Sequence, residues 1–303
     1  MKLEYKDKSK ENWFLITWDL GNKCNYRCSY CPSAFNDGSS GWPSWEDVNT
    51  FVKEINNRLP TKHICFRISG GEPTYWKHFL DFAELIKSYG NSFSFLSNGS
   101  RDLNYFKTIS KFTDGVILSY HPEYADQSHF INISKEMSCP VAVNLMIGPD
   151  NFDEMVSVAK YLYDNSSMAI WPKVILDKQT MSNKIADYTN EQTAFIKSWP
   201  FFRKLNDSKI HRGEILLDGQ LITANDLLLQ GLNKHHNWTC YAGVDQINIS
   251  FIGEIFRADC QVGGPIGNIR KFTLPVSTIT CDKQYCNCLS DIYLRKSSSV
   301  VSI

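Results

Sequence analysis

Between residues 13 and 177 the chain alternates short apolar runs with amphipathic stretches, and few folds accommodate that rhythm. Phe14–Trp18, His63–Ile68, Ser92–Leu96, Gly115–Ser119, Val141–Ile147 and Ala169–Leu176 read as strands. Ser44–Leu59, Tyr75–Tyr89, Leu103–Phe112 and Phe152–Tyr163 carry apolar residues at helical spacing. Ser44, in Pro43-Ser44-Trp45-Glu46-Asp47, is a suitable N-cap for the first helix, and Asp150-Asn151 lead into the last. Strands separated by helices give βα units around a parallel sheet, the α/β class. In parallel barrels the chemistry sits at the C-terminal ends of the strands, and two motifs fall there.

The first, directly after the first strand, is Cys24-Asn-Tyr-Arg-Cys28-Ser-Tyr-Cys31, three thiols spaced C-x3-C-x2-C. A 4Fe-4S cluster usually takes four cysteinyl ligands, so a three-cysteine loop leaves one iron for a small molecule. The alternative is a structural zinc site, which needs a fourth protein ligand. The nearest other cysteine, Cys65, lies inside the second strand. The second motif, Ser69-Gly70-Gly71-Glu72-Pro73, follows that strand. Two glycines let backbone approach a ligand closely. Their carbonyls, with Glu72, can accept hydrogen bonds from an ammonium group. Alone, the tetrapeptide is an ordinary turn. Together, the cysteine loop with Tyr30 before its last cysteine and the Gly-Gly-Glu-Pro turn resemble the signature of the radical S-adenosylmethionine (SAM) superfamily.

That resemblance implies a partial (β/α)6, TIM-like barrel over residues 13–177, with a 4Fe-4S cluster on Cys24, Cys28 and Cys31. It implies that the open iron chelates SAM, and that one electron cleaves SAM to a 5′-deoxyadenosyl radical that abstracts hydrogen from a substrate. By position, Asn98 in Ser97-Asn98-Gly99 resembles the family's ribose contact. Ser119, His121 and Asn144 resemble further SAM contacts, beside Tyr30, Gly70, Gly71 and Glu72. The plainer readings are a turn at Asn98-Gly99, a loop start at Ser119-Tyr-His-Pro, and a packing role for His121. His121 also titrates in the range of a general acid or base. No catalytic residue is assigned.

A second cysteine set, Cys240, Cys260, Cys281, Cys286 and Cys288, occupies the C-terminal third. Between its first two members, Gln246–Phe251 and Glu254–Arg257 read as a β-hairpin turning at Gly253. The order of cysteine, hairpin, cysteine, Gly-Asn-Ile (267–269) and a compact cysteine group resembles the SPASM/twitch extension of radical SAM enzymes. This implies an auxiliary 4Fe-4S cluster in a small twitch-type domain over 236–292. Cys240, Cys260 and Cys281 with Cys286 or Cys288 would ligate it, which leaves the surplus thiol open. The alternative is a four-cysteine zinc knuckle. Cys65 and Cys139 read as buried small apolar residues. Residues 178–235 read as a bridge that lines a substrate cavity, with a hairpin across Asp218-Gly219 in Gly213–Thr223. The Ser-rich end, Lys296–Ile303, reads as frayed.

The 303 residues carry 32 Lys+Arg against 32 Asp+Glu. That balance gives no electrostatic argument for nucleic acid or membrane as a partner. No run approaches the ~20 apolar residues of a membrane span. The polar start, Met1-Lys-Leu-Glu-Tyr-Lys-Asp-Lys, lacks the core of a signal peptide. Ten cysteines without a secretory signal point to metal ligation in a reducing cytoplasm. The expected function is therefore a cytoplasmic radical SAM oxidoreductase acting on a small-molecule or sugar-type substrate. The auxiliary cluster would give redox help, and a flavodoxin or ferredoxin would supply the electron. A peptide (RiPP) maturase is the alternative, disfavoured by the roughly twelve residues ahead of the first strand. A molybdopterin-pathway GTP cyclase is disfavoured by the ending Val-Val-Ser-Ile in place of Gly-Gly. A non-catalytic metal-binding protein is the reading from another class.

Overall fold

The computed structural model describes residues 2–6, 12–175, 186–203, 214–287 and 289–298. The chain opens with β1 (Leu3–Lys6) and then winds through five βα steps and a sixth strand: β2 (Trp13–Asp19), α1 (Trp45–Arg58), β3 (His63–Ser69), α2 (Phe79–Ser88), β4 (Ser92–Ser97), α3 (Leu103–Ile109), β5 (Gly115–Tyr120), α4 (Gln127–Glu136), β6 (Val141–Ile147), α5 (Phe152–Asn165) and β7 (Ala169–Val174). Strands β2 to β7 pair in parallel and in chain order. The sheet does not close into a full barrel, in keeping with the partial barrel expected. Leu176, at the end of the sixth predicted strand, lies outside the described residues.

Several helices begin where a side chain meets one of their first free N–H groups. Ser44 accepts from Asp47 N at 3.1 Å, Asp102 from Tyr105 N at 2.8 Å and Asp126 from His129 N at 2.6 Å. Asn151 precedes α5 without capping it; its side chain instead accepts from Gly148 N at 2.7 Å. The strands bury alternate faces differently. Phe14, Ile16, Trp18, Ile64, Phe66, Ile68, Phe93, Phe95, Val116, Leu118, Val143 and Leu145 join the helices in the main core. Trp18 meets Phe51 and Phe82 edge-on, and Phe79 meets Phe95 likewise and Phe93 at a tilt. The opposite, concave face carries Arg67, Ser94, Ser119, Asn144 and Lys173 around a small patch of Leu96, Ile117, Ala142, Ala169 and Trp171. A polar concave face of this kind suits a ligand better than a dry core does.

After β7 come α6 (Asn190–Lys197), the hairpin β8 (Glu214–Leu217) and β9 (Gln220–Ile222), and α7 (Ala224–Leu229). The hairpin turns at Asp218-Gly219, both at positive φ, as expected; Gly213 lies outside the described residues. β1 adds to β8 antiparallel, which occupies the polar N-terminal segment. Residues 178–185 and 204–205 also fall outside the described residues, but the part seen is docked. Tyr188 Oη donates to Ile147 O at 2.5 Å, and Gln192 Nε2 to Pro149 O at 3.0 Å.

The C-terminal part comprises β10 (Thr239–Cys240), β11 (Gln246–Ile249), β12 (Glu254–Phe256), β13 (Pro265–Asn268), β14 (Lys271–Phe272), β15 (Ile279–Thr280), α8 (Leu289–Ile292) and β16 (Lys296–Ser297). The hairpin at Gly253 forms as β11 and β12. Its first strand also pairs in parallel with β2, so one ten-stranded sheet runs β14-β13-β12-β11-β2 and on to β7. A separate sheet, β15-β10-β16, carries Cys240 at its centre. The frayed tail expected from Lys296 onward is corrected at its start: Lys296 and Ser297 pair with Cys240 and Thr239, and Lys296 is buried. Residues 299–303 lie outside the described residues.

Candidate functional site

The segment between β2 and α1 forms a long loop that the C-terminal ends of three other strands hold in place. From β3, Ser69 O accepts from Leu20 N at 2.9 Å, and Glu72 N donates to Lys23 O at 2.9 Å. From β4, Asn98 Nδ2 donates to Asn25 Oδ1 at 2.8 Å and reaches Cys24 Sγ at 3.8 Å; Asn25 Nδ2 donates to Ser100 Oγ at 3.0 Å. From the end of β5, both oxygens of Glu123 accept from Ser29 N, at 2.8 and 3.0 Å. Tyr30 stacks on His121 with its hydroxyl hydrogen-bonded to Nδ1, and Tyr26 stacks on Tyr124 at 4.5 Å. Cys24, Cys28 and Cys31 are thus carried by one turn, with Cys31 N donating to Cys28 O at 3.1 Å. Cys24 Sγ also accepts from Tyr26 N at 3.3 Å.

Asn22 organises the far side of the loop. Its buried amide donates to Ala34 O, Asp37 Oδ1 and Ser39 Oγ and accepts from Ser40 N. Asn22→Ala removes all four contacts, and an expected loss of about 1–2 kcal/mol should lower the urea midpoint. Wild-type stability in that variant would mean that the loop is held by the strand ends alone.

The Gly-Gly-Glu-Pro turn packs tightly against the cysteine loop. Gly70 (φ +88°) and Gly71 (φ +45°) press against the cysteine loop: a Cβ on Gly70 would lie 2.7 Å from Gly21 O, and one on Gly71 2.3 Å from Lys23 O. The close approach is backbone to backbone within the chain. The Glu72 carboxylate is fully buried and accepts from Thr74 Oγ1 (2.5 Å), Thr74 N (3.3 Å), Ser97 Oγ (2.9 Å) and Asn98 N (2.6 Å). Burial raises its carboxyl above the usual range while these donors oppose the shift. Glu72 therefore braces β3 against β4 and holds Asn98.

The other predicted residues sit on the same rim. Ser119 and Asn144 face each other across the β5–β6 ladder on the concave side. Burial holds the His121 imidazole down at about 4, so the ring is neutral at pH 7. Burial pushes the Cys28 thiol up to about 11 and raises Cys24 as well. Thiols so disposed ionise when a metal replaces their protons, and three soft sulfurs on one turn suit an iron–sulfur centre.

Cys240, Cys260, Cys281 and Cys286 line a narrow cavity, together with His235, Asp291 and Lys296. Cys281 N donates to Trp238 O and Cys286 N to Asn233 O, each at 2.8 Å. Cys260 N donates to Asp291 Oδ2 at 2.9 Å, and Asp291 Oδ1 accepts from Gln246 Nε2 at 2.7 Å. Burial pushes Cys286 up to about 12 and raises Cys260 and Cys240. His235 is buried; its Nε2 meets Tyr5 Oη at 2.6 Å, while Nδ1 has no hydrogen-bond partner among the described residues. Four thiols and an unpartnered imidazole nitrogen around one cavity fit a soft metal centre. Among the described residues, neither cysteine set converges tightly enough to be a ready shell for a single ion. Cys288 lies outside the described residues. Cys65 is buried as expected, whereas Cys139 is only partly so. His235, Glu123, Asp291 and Lys296 carried no sequence signal, because each acts across a long stretch of chain.

Comparison with known proteins agrees with this geometry. A SAM-dependent nucleotide dehydratase from Thermoplasmatales archaeon (strain ISO4-H5) is 35% identical over 79 residues, 26% of each chain. The chain thus spans about a quarter of that relative's length. A GTP 3′,8-cyclase from Vibrio parahaemolyticus serotype O3:K6 is 22% identical over 253 residues, 77% of this chain and 68% of the other. Streptococcus suis SuiB bound to SAM superposes with a TM-score of 0.57 at 9% identity, over 86% of this chain and 64% of that one, which shows a shared fold. No helix among the described residues is long and apolar enough to cross a membrane. Residues 18–165, which carry the cysteine loop and the strand ends that grip it, match the radical SAM superfamily model, and the chain is a radical SAM superfamily enzyme.

Proposed function

We propose that Cys24, Cys28 and Cys31 hold a 4Fe-4S cluster that binds SAM, and that Cys240, Cys260, Cys281 and Cys286 hold a second, auxiliary one. The observation that carries the first part is the grip of three strand ends on a single three-cysteine turn. When bound, the cluster and SAM supply one-electron chemistry that removes hydrogen from a substrate. The chain's own residues orient and enclose. The Gly70 and Gly71 carbonyls, Asn98, Ser119 and Asn144 are placed to hold SAM. Tyr30, stacked on His121, walls one side of the cysteine turn, and the concave face with Ser94, Ser119 and Asn144 receives the substrate.

The domains divide as 13–177 for the barrel, 178–235 for a bridge that lines the cavity, and 236–292 for the auxiliary-cluster part. The substrate is a small molecule of sugar type, the electron comes from an external flavodoxin or ferredoxin, and the enzyme works in the cytoplasm. A second reading narrows the substrate to a nucleotide, favoured by the names of the two sequence relatives.

The test is anaerobic reconstitution, then assay of SAM plus dithionite for 5′-deoxyadenosine with iron counted on the same sample. About eight irons per chain are expected. Cys240→Ser or Cys260→Ser should hold about four and still form deoxyadenosine. Full iron content in both variants would remove the auxiliary cluster from the reading.

A further inference from the structure

One buried charge in the C-terminal cavity is not explained by the thiols. Lys296 is 5% exposed and sits in β16 directly across the ladder from Cys240. Its ammonium donates to Asp291 O at 2.7 Å and Ile292 O at 3.1 Å, and lies 4.5 Å from the Tyr5 ring centroid. The ion pairs among the described residues do not include it. A long amine ordinarily reaches for water, and burying one against carbonyls alone is costly. Strand pairing holds this one on the wall of a cavity that carries four thiols.

The other charged groups there are otherwise engaged. Asp291 turns one carboxylate oxygen to Gln246 Nε2 and the other to Cys260 N. Lys283, partly exposed, pairs with Asp282 at 3.7 Å. His235 is neutral at pH 7, burial holding it down at about 3. Among the described residues, Lys296 is therefore the buried cation of this cavity.

We propose that Lys296 is the fixed counter-charge of the cluster held by Cys240, Cys260, Cys281 and Cys286, a positioning residue that raises its reduction potential. The inference rests on the auxiliary-cluster reading above. A cluster with four thiolates is anionic and gains a further negative charge on one-electron reduction. A nearby cation in a low-dielectric site stabilises the reduced form more than the oxidised one. The competing role is purely structural, since the two carbonyls it meets end the short helix α8 and a lysine can cap them.

The experiment uses the full chain carrying Cys24, Cys28 and Cys31 all as Ala, so that only the C-terminal cluster gives a signal. Iron is counted and the midpoint potential followed by EPR under redox titration, in that parent and with Lys296→Gln or Lys296→Arg added. The expected result is about four irons in the parent, a more negative midpoint in Lys296→Gln, which can still donate to a carbonyl, and a parent-like midpoint in Lys296→Arg. An unchanged midpoint in Lys296→Gln at full iron overturns the counter-charge and leaves the cluster standing. Loss of iron in Lys296→Gln alone supports it, because charge is then what holds the cluster. Loss in both variants overturns it in favour of packing. A parent without iron overturns the auxiliary cluster itself, and this inference with it.

Discussion

Replacing any one of Cys24, Cys28 or Cys31 with alanine is expected to reduce 5′-deoxyadenosine formation to background while about four irons stay with the chain. With one of three thiols gone, a cluster that must also keep an iron open for SAM retains only two protein ligands. The rest of the site offers no replacement: Glu72 is fully engaged by Thr74, Ser97 and Asn98, and both oxygens of Glu123 take Ser29 N. The second cysteine set lies outside this loop, with Cys240 in the separate sheet β15-β10-β16, so its iron should be indifferent to the change. Chromatography of the cleavage products with iron analysis on one sample checks both halves. Continued cleavage in Cys28→Ala would place the reactive centre elsewhere.

Gly71→Ala should be nearly as damaging without touching a thiol. The new methyl would meet the Lys23 carbonyl oxygen at 2.3 Å, and neither partner is a side chain that can swing away. The same carbonyl accepts from Glu72 N, so relief of the clash breaks the hydrogen bond that ties the cysteine loop to β3. Strain at positive φ adds to the cost, and the sum is expected to be about 3 kcal/mol or more. Gly90→Ala is the control, since Gly90 also has positive φ (+75°) but nothing lies within 4 Å of its added carbon. Thermal unfolding together with iron content on a Cys240→Ser background measures stability and first-site occupancy. Equal behaviour of the two glycine variants would show that backbone contact with Lys23 is not what the second glycine serves.

The barrel strands were legible because each has one face against the helices, so apolar side chains recur on alternate positions of runs such as Phe14–Trp18 and Val141–Ile147. Helix α4 escaped notice because only Phe130, Ile131 and Ile133 are buried on it, a stripe too narrow to announce a period. The thiols of both sites could be read from spacing, but what surrounds them could not. Tyr5 meets His235 across 230 positions of chain, and Lys296 meets Cys240 through a two-residue strand with no pattern of its own. The Gly-Gly pair was visible as a place of close approach. Which backbone approaches it depends on the path of the Leu20–Gly41 loop, which no local rule encodes.

The hairpin at Gly253 was visible as a hairpin, but its periodicity says nothing of the neighbour on its other side, which is β2. Gln246 lies opposite Leu15 and Ile249 opposite Trp18, and a slip of one residue would turn the buried Ile247 and Ile249 onto the wrong face. The loop with Cys24 leaves one end of β2, and the turn toward Cys260 leaves the hairpin beside it. Cys24 and Cys260 are therefore linked through a ladder of peptide hydrogen bonds. In the two-cluster reading proposed above, the β2–β11 ladder is thus part of the path that joins the two centres.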